Sequence, residues 1–320
     1  MVSRGAVGCP VFVGMAAGKG NGCNVPMAGS PRDEEDASAV RHLGTAQPVS
    51  TPEHPSPSST RGPDRVSLCG VSFLSLTERQ LVDHVLGELD QGRPGWIITP
   101  NLDILRQAVQ KPDIRALLGR ADVLVADGMP LVWASRLQGT PLPERVAGSH
   151  IIWSISEAAA ARGKSVFLLG GAPGVADACG AVLCRRYPNL IITGTFCPPF
   201  GFETSETEIA TLLRAVREHP ADIVFVALSF PKGERLIERI REALPRAWWI
   251  GVGVSLSFVA GDIKKAPRWM QKAGWEWSHR LMQEPRRLAR RYLVDGIPFA
   301  ARLLIGSMVR GVARSARRHG

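Results

Sequence analysis

The stretch SVFLLGGAPGVADACGAVLCRRYPNLIITGTF, residues 165–196, decides the fold. An apolar run (Ser165–Leu169) meets glycines at 170, 171 and 174. An amphipathic segment (174–186) follows, and then a second apolar β-rich run (Leu190–Thr195). Short, continuously apolar strands with helices between them indicate a parallel sheet, because parallel neighbours need a helical crossover between them. Strands apolar on both faces need cover on both faces.

The same alternation extends outward in both directions. Further strand-like runs fall at Trp96–Thr99, Val123–Ala126, Ile223–Leu228 and Trp248–Val252. Helical patterns occupy 102–119, 149–162, 204–218 and 232–243 between them. Ahead of these, SLCGVSFL (67–74) reads as a strand pair turning at Gly70. A helix then starts at Thr77 with a capping box to Gln80, burying Leu81, Val82, Val85, Leu86 and Leu89. The expectation is an α/β fold with a doubly wound, mostly parallel sheet over residues 65–260. Residues 1–64, rich in Gly, Pro, Ser and charge, read as a disordered leader. Gly and Pro interrupt Ala6–Ala17, which argues against a cleaved signal peptide there. Residues 261–320 form a helical appendage of different character.

The charge is concentrated in that appendage. The chain carries a net +10, and from Arg280 onward there are ten arginines, no lysine and two acids, Glu284 and Asp295. Such a tail can answer to a membrane surface, a diphosphate or a nucleic acid. Concentration beside the apolar stretch Phe299–Val309 favours anionic lipid over nucleic acid. That stretch is about eleven residues long, short of the ~18 a spanning helix needs. The six cysteines include no C-x-x-C pair and the seven histidines are scattered, so neither a disulfide framework nor a structural zinc site is expected.

In an open parallel sheet, ligands bind beyond the carboxyl ends of the strands. Four ends here carry chemistry. Thr99 and Asn101 flank Pro100, as pocket residues or as a turn and helix cap. Asp127 follows four apolar residues, either as a general base in low-dielectric surroundings or as an Asp-Gly turn. Gly170, Gly171 and Gly174 precede a helix, as a diphosphate cradle or a plain tight turn. Lys232 and Glu234 open another helix, as ligand groups or as charges on a solvated face. No Asp-x-Asp occurs in the folded part, so a metal clamp on a diphosphate is not expected and cationic side chains must serve. The glycines lack G-x-G-x-x-G spacing, which disfavours a nicotinamide cofactor.

Taken in order, TPNLDI (99–104), ADVLVADGMPLVWASRLQG (121–139), ERVAGSH (144–150), VFLLGGAPGVA (166–176), YPNLIITGTF (187–196), ADIVFVALSFPKGE (221–234), IGVGVSLSFVAGDIKKAPRW (250–269) and GWEWSHRLMQEPRRLARRY (274–292) resemble the WecG/TagA/CpsF glycosyltransferase family. The resemblance implies an inverting, metal-independent transferase without cofactor. It implies a UDP-sugar donor and a polyprenyl-diphosphate-linked acceptor on the route to a cell-surface polymer. By position, Asp127 resembles the general base, Thr99 and Asn101 the residues around the reacting centre, and Arg145 a pocket-edge arginine. Arg280, Arg286, Arg287, Arg290 and Arg291 resemble arginines that reach the diphosphate from the appendage. The implied location is cytoplasmic, peripheral at the inner face of the membrane; homo-oligomerisation stays open. Three positions depart from the family's pattern: Gly233 for a glutamine, Leu256-Ser257 for Phe-Asp, and His150 for an aspartate. They bear on donor choice. The competing readings are a nucleotide-sugar or NAD-binding protein without transferase chemistry and, behind it, a nucleic-acid binder.

Overall fold

The computed structural model describes residues 64–263, 266, 267, 270 and 276–319. The leader, with Cys9 and Cys23, lies outside the described residues except for Asp64, as do the side chains of Arg280 and Arg287.

The chain opens with a hairpin of β1 (Arg65–Leu68) and β2 (Val71–Leu74). Its two-residue turn puts both Cys69 (φ 52) and Gly70 (φ 78) in the left-handed region, the conformation that matches strand twist. Helix α1 (Glu78–Asp90) follows with its capping box formed and its five expected apolar residues buried.

The main sheet then alternates with helices: β3 (Gly95–Ile98), α2 (Leu102–Gln110), α3 (Pro112–Gly119), β4 (Val123–Leu124), α4 (Met129–Leu137), α5 (Gly148–Ala161), β5 (Ser165–Gly170), α6 (Val175–Arg186), β6 (Ile191–Phe196), α7 (Glu206–Glu218), β7 (Ile223–Ala227), α8 (Lys232–Ile240), β8 (Trp248–Gly251) and α9 (Ser255–Ala260). The expected single helix 102–119 is two. Pro112 has no N–H and holds Lys111 extended (φ −125, ψ 112), so the helix restarts one residue later. The expected helix 232–243 ends at Ile240 and tightens into a 3₁₀ turn over Arg241–Ala243.

All six strands of this sheet are parallel, in the order β4-β3-β8-β7-β5-β6. Side chains alternate between two cores. Trp96, Ile98, Phe167, Leu169, Val224 and Trp249 face α2, α3, α4, α7 and α8, while Ile97, Val166, Leu168, Phe225 and Ile250 face α1, α5, α6 and α9. That period of two, with both faces buried, is the doubly wound architecture. Asp122 and Asp222 each precede a strand and accept from an N–H at the start of a neighbouring one, Trp96 N in β3 and Ser165 N in β5, both at 2.8 Å. Gly95 is a packing requirement, since a Cβ there would lie 2.5 Å from the Trp248 ring.

Beyond the sheet come α10 (Glu276–Gln283), α11 (Pro285–Ala289), a π-helical turn (Arg290–Gly296) and α12 (Ile297–His319). The continuous helix Arg290–Arg317 is long and apolar enough, by length and composition alone, to cross a membrane. A count of unbroken apolar residues misses this, because single arginines divide a run that a long helix averages over. Yet one side of α12 lies on α4. Leu303 and Ser307 are buried, and a Cβ at Gly311 would stand 2.1 Å from the Leu137 carbonyl oxygen. The other side leaves Ile305, Met308, Val309 and Val312 exposed.

Candidate active site

In the sheet order, β3 lies beside β8. The chain leaves β3 toward β4 on one side and reaches β8 from β7 on the other. Connections that diverge in this way leave a crevice at the carboxyl ends, and the loops after β3, β4, β7 and β8 converge there. Two cavities occupy it.

The first, of about 180 Å³, is polar: Thr99, Asp127, Ser149, Ser229, Glu234 and Ser255 are on its wall. Helix α5 points its N-terminus at it through Ala147 and Gly148. A Cβ on Gly148 would come within 3.4 Å of Val252 Cα and 3.6 Å of Thr99 Oγ1, so the helix end lies close against the strand ends. The positive end of the helix dipole at such a terminus favours an anion. The second cavity, of about 320 Å³, is apolar and aromatic, with Met129, Pro130, Trp133, Trp277, Tyr292 and Ile297 in its wall. Trp277 and Tyr292 meet edge to face at 6.1 Å.

Asn101, Asp103, Asp127 and Arg291 line both cavities. Asp127 ends the β4 segment, its N–H bonded to the Pro100 carbonyl oxygen at 3.0 Å, and Gly128 (φ 145) turns the chain into α4. Its side chain is 28% exposed, less enclosed than the sequence suggests, and Arg145 Nη1 stands 4.0 Å from Oδ1. Arg145 is itself 14% exposed and belongs to the apolar cavity's wall. Asn101 is a helix cap as well as a lining residue, its Oδ1 accepting from Asp103 N and Ile104 N at 3.1 Å each.

Asp103 was not singled out from the sequence, where an acid in a first helical turn looks like ordinary N-terminal charge. It holds Arg106 Nη2 at 2.8 Å and lies 3.0 Å from Arg291 Nε, close in distance though off the hydrogen-bond line. Through this pair the C-terminal segment reaches the strand ends. Among the appendage arginines with described side chains, Arg291 is the one that lines the cavities, whereas Arg286 and Arg290 face solvent. Trp133, Trp277 and Tyr292 were also missed, since aromatic residues at helical spacing read as core.

Glu234 is 6% exposed and so not on a solvated face. Burial pushes its carboxyl up to about 7, and the hydrogen bond from its own backbone N–H offsets this in part. Lys232 belongs elsewhere, paired with Glu203 and lying over the Phe200 and Phe202 rings at 5.5 and 5.9 Å. That pairing holds the Glu203 carboxyl below its usual range. Gly170, Gly171 and Gly174 end β5 outside the walls of both cavities. Gly170 (φ 100) has a packing reason, because a Cβ would lie 2.6 Å from the Ala227 carbonyl oxygen. Of the departures from the family's pattern, His150 faces Glu78 at 3.7 Å, and Leu256 is on the buried side of α9 in the core. Gly233 sits against Leu228, where a Cβ added to the glycine would stand 3.3 Å from Leu228 Cβ. Among the described residues no three His, Cys, Asp or Glu side chains gather as a metal site would require, and the four described cysteines are thiols rather than disulfides.

The family described as the glycosyl transferase WecG/TagA/CpsF family matches residues 66–312. The chain belongs to the WecG/TagA/CpsF glycosyltransferase family. Two curated relatives, from Bacillus spizizenii and Bacillus subtilis strain 168, are each an N-acetylglucosaminyldiphosphoundecaprenol N-acetyl-beta-D-mannosaminyltransferase. The first is 33% identical over 202 residues, covering 63% of this chain and 76% of the relative. The second is 31% identical over 219 residues, covering 68% and 80%. The protein is thus a glycosyltransferase of bacterial cell-surface polymer synthesis, and the crevice at β3 and β8 is its candidate active site.

Proposed function

We propose that this transferase moves a sugar, with inversion and without a metal, from a UDP-sugar in the polar cavity to a hydroxyl of a polyprenyl-diphosphate-linked saccharide in the apolar one. The observation that carries the reading is the junction. Two cavities of opposite character share Asp127, and an inverting displacement needs its base on the acceptor side of the anomeric carbon, opposite the leaving group.

In this reading Asp127 takes the proton of the acceptor hydroxyl as that oxygen attacks the anomeric carbon. The bond to the β-phosphate oxygen breaks, and the electron pair leaves with UDP. Arg145 steadies the Asp127 carboxylate. Thr99 and Asn101 flank the reacting carbon. The departing negative charge meets the α5 N-terminus and the Arg291 guanidinium, which suits phosphate oxygens better than an ammonium would. Of the arginines 280, 286, 287, 290 and 291, the proposal rests on Arg291; Lys232, Gly170, Gly171 and Gly174 take no part in it.

The acceptor class follows from the relatives' substrate and from the aromatic wall, which fits sugar C–H faces and isoprenyl carbons. The exposed apolar face of α12, with Arg302, Arg310, Arg314 and Arg317 exposed beside it, would rest in the anionic headgroups of the inner leaflet. Docking of α12 on α4 supports a peripheral helix over a spanning one.

A panel of UDP-sugars offered with N-acetylglucosaminyl-diphosphoundecaprenol in anionic vesicles tests this, scored by product mass and by the anomeric configuration of the new bond. One sugar should be added, with inversion and in the presence of chelator. Retention of configuration, or loss of transfer on chelation with recovery on adding Mn²⁺, would overturn the corresponding part.

A further inference from the structure

Glu234 stands in the first turn of α8, on the wall of the polar cavity, and among the described residues no cation pairs with its carboxyl. Its Oε2 has no hydrogen-bond partner, and its Oε1 lies over Gly251, where a Cβ would come within 2.9 Å of it. Gly251 therefore makes room for the carboxyl to lie across the end of β8.

The strands beneath α8 carry no ionisable side chain, being IVFVA in β7 and WWIG in β8. The charges on α8 are engaged elsewhere: Lys232 with Glu203, Arg235 with Asp113, Glu238 with Arg120 and Arg239 with Glu206. Arg241 and Glu242, in the turn at the helix's far end, face each other at 4.0 Å. Across the cavity, Arg291 is held by Asp103, and Asp127 brings further negative charge. A buried carboxylate without a cation is disfavoured, whereas the carboxylic acid is a hydrogen-bond donor.

We infer that Glu234 is a donor-recognition residue, which as a carboxylic acid gives a hydrogen bond to an oxygen of the nucleoside diphosphate sugar. The inference rests on the reading of the polar cavity as the donor's. A nucleoside diphosphate sugar is rich in oxygen acceptors, and its own negative charge repels a carboxylate but accepts from the acid. The ionisation of Glu234 near pH 7 then makes donor affinity fall as pH rises through neutrality.

Isothermal titration of the full chain with UDP-N-acetylglucosamine at pH 6 and pH 8 tests this, because the diphosphate of that probe carries no proton that titrates in the range. Wild type should bind about tenfold more weakly at pH 8, as a group ionising near 7 loses its proton. Glu234→Gln keeps an N–H donor in place and cannot ionise, so it should bind equally at both values, near the wild-type affinity at pH 6. Glu234→Leu should bind about tenfold more weakly at pH 6, the usual cost of one lost charged-partner hydrogen bond. The glutamine variant keeps the test alive if the leucine variant fails to fold. A wild-type pH slope matched by Glu234→Gln, or a folded Glu234→Gln that does not bind at pH 6, overturns the inference and leaves the donor cavity standing. Failure of wild type to bind either this probe or UDP-N-acetylmannosamine at both pH values overturns the donor reading and this inference with it.

Discussion

The two cavities meeting at Asp127 are built by different means. The polar one is lined by loops at the ends of β3, β7 and β8 and by the start of α5, all fixed by a sheet buried on both faces. The apolar one is closed by α4 on one side and by the C-terminal helices on the other. Its far wall stays in place through the Asp103–Arg291 pair and the close approach of Gly311 to Leu137. The first is preorganised by the core, while the second depends on a docked segment. Substitutions at the junction should therefore damage chemistry, those in the polar cavity donor affinity and stability, and those in the aromatic wall acceptor affinity alone.

The largest effect is expected at the junction. Asp127→Asn removes the proposed base while keeping shape and polarity, and turnover should fall by roughly 10²–10⁴. UDP-sugar affinity measured by titration should stay within about twofold, since a uniform loss of binding would show in KM instead. An Asn variant that turns over near the wild-type rate would move the base elsewhere.

The next effect concerns stability. The Glu234 carboxyl is raised to about 7 in the folded protein, against a usual value of 4.5. Below 4.5 it is protonated in both states and costs nothing. Between those values the unfolded chain releases a proton that the folded chain retains, so stability falls with rising pH and levels off above about 7. The ceiling on that loss is about 3 kcal/mol. Glu234→Gln should remove the dependence. Denaturant unfolding should find it close to wild type at pH 5 and more stable at pH 8. Parallel stability–pH curves for the two proteins would show that Glu234 is not held neutral by its surroundings.

The difference between the cavities also explains what was legible in the sequence. Strands such as Ile223–Ala227 and helices such as α1 are written locally, in continuous apolar runs, period and caps, and they appear where expected. Thr99, Asn101 and Asp127 close strands and line the cavities, whereas Lys232, Gly170, Gly171 and Gly174 lie outside them. Asp103, Trp133 and Tyr292 were not legible, since each becomes part of the site only when α4 and the C-terminal helices fold against the strand ends. Glu234 was ambiguous for a related reason. Its sequence neighbours Lys232 and Arg235 face outward into ion pairs, and nothing local tells that the residue between them turns inward beneath Gly251.

The pair joining the cavities should come third. Arg291→Met keeps most of the side chain's bulk and removes the charge that pairs with Asp103 and that we propose meets the diphosphate. A hydrogen bond to a charged group contributes about 1.5–3 kcal/mol, so kcat/KM should drop about 10- to 100-fold. If Arg291 neutralises the leaving group, the loss falls mainly on kcat. If it only anchors the appendage, the loss falls on acceptor KM and Asp103→Asn reproduces it.

The smallest effect should be the most selective. Trp133 is 38% exposed on α4 and turns into the apolar cavity opposite Trp277 and Tyr292. Because its ring is partly exposed already, Trp133→Ala removes little from the core, and the unfolding midpoint should barely move. What it removes is a flat apolar face, and an aromatic contact of this kind contributes about 0.5–1.5 kcal/mol beyond area. The KM for the polyprenyl-linked acceptor should rise by about two- to tenfold, with kcat and UDP-sugar affinity unchanged. A soluble acceptor analogue carrying the same sugar on a short alkyl diphosphate separates the two partners the ring could serve. If Trp133 stacks on the sugar, the analogue suffers the same KM increase; if it lies along the isoprenyl chain, the analogue is indifferent to the substitution. A change in donor affinity instead would mean that the aromatic wall belongs to the donor's side and that the two cavities have been assigned the wrong way round.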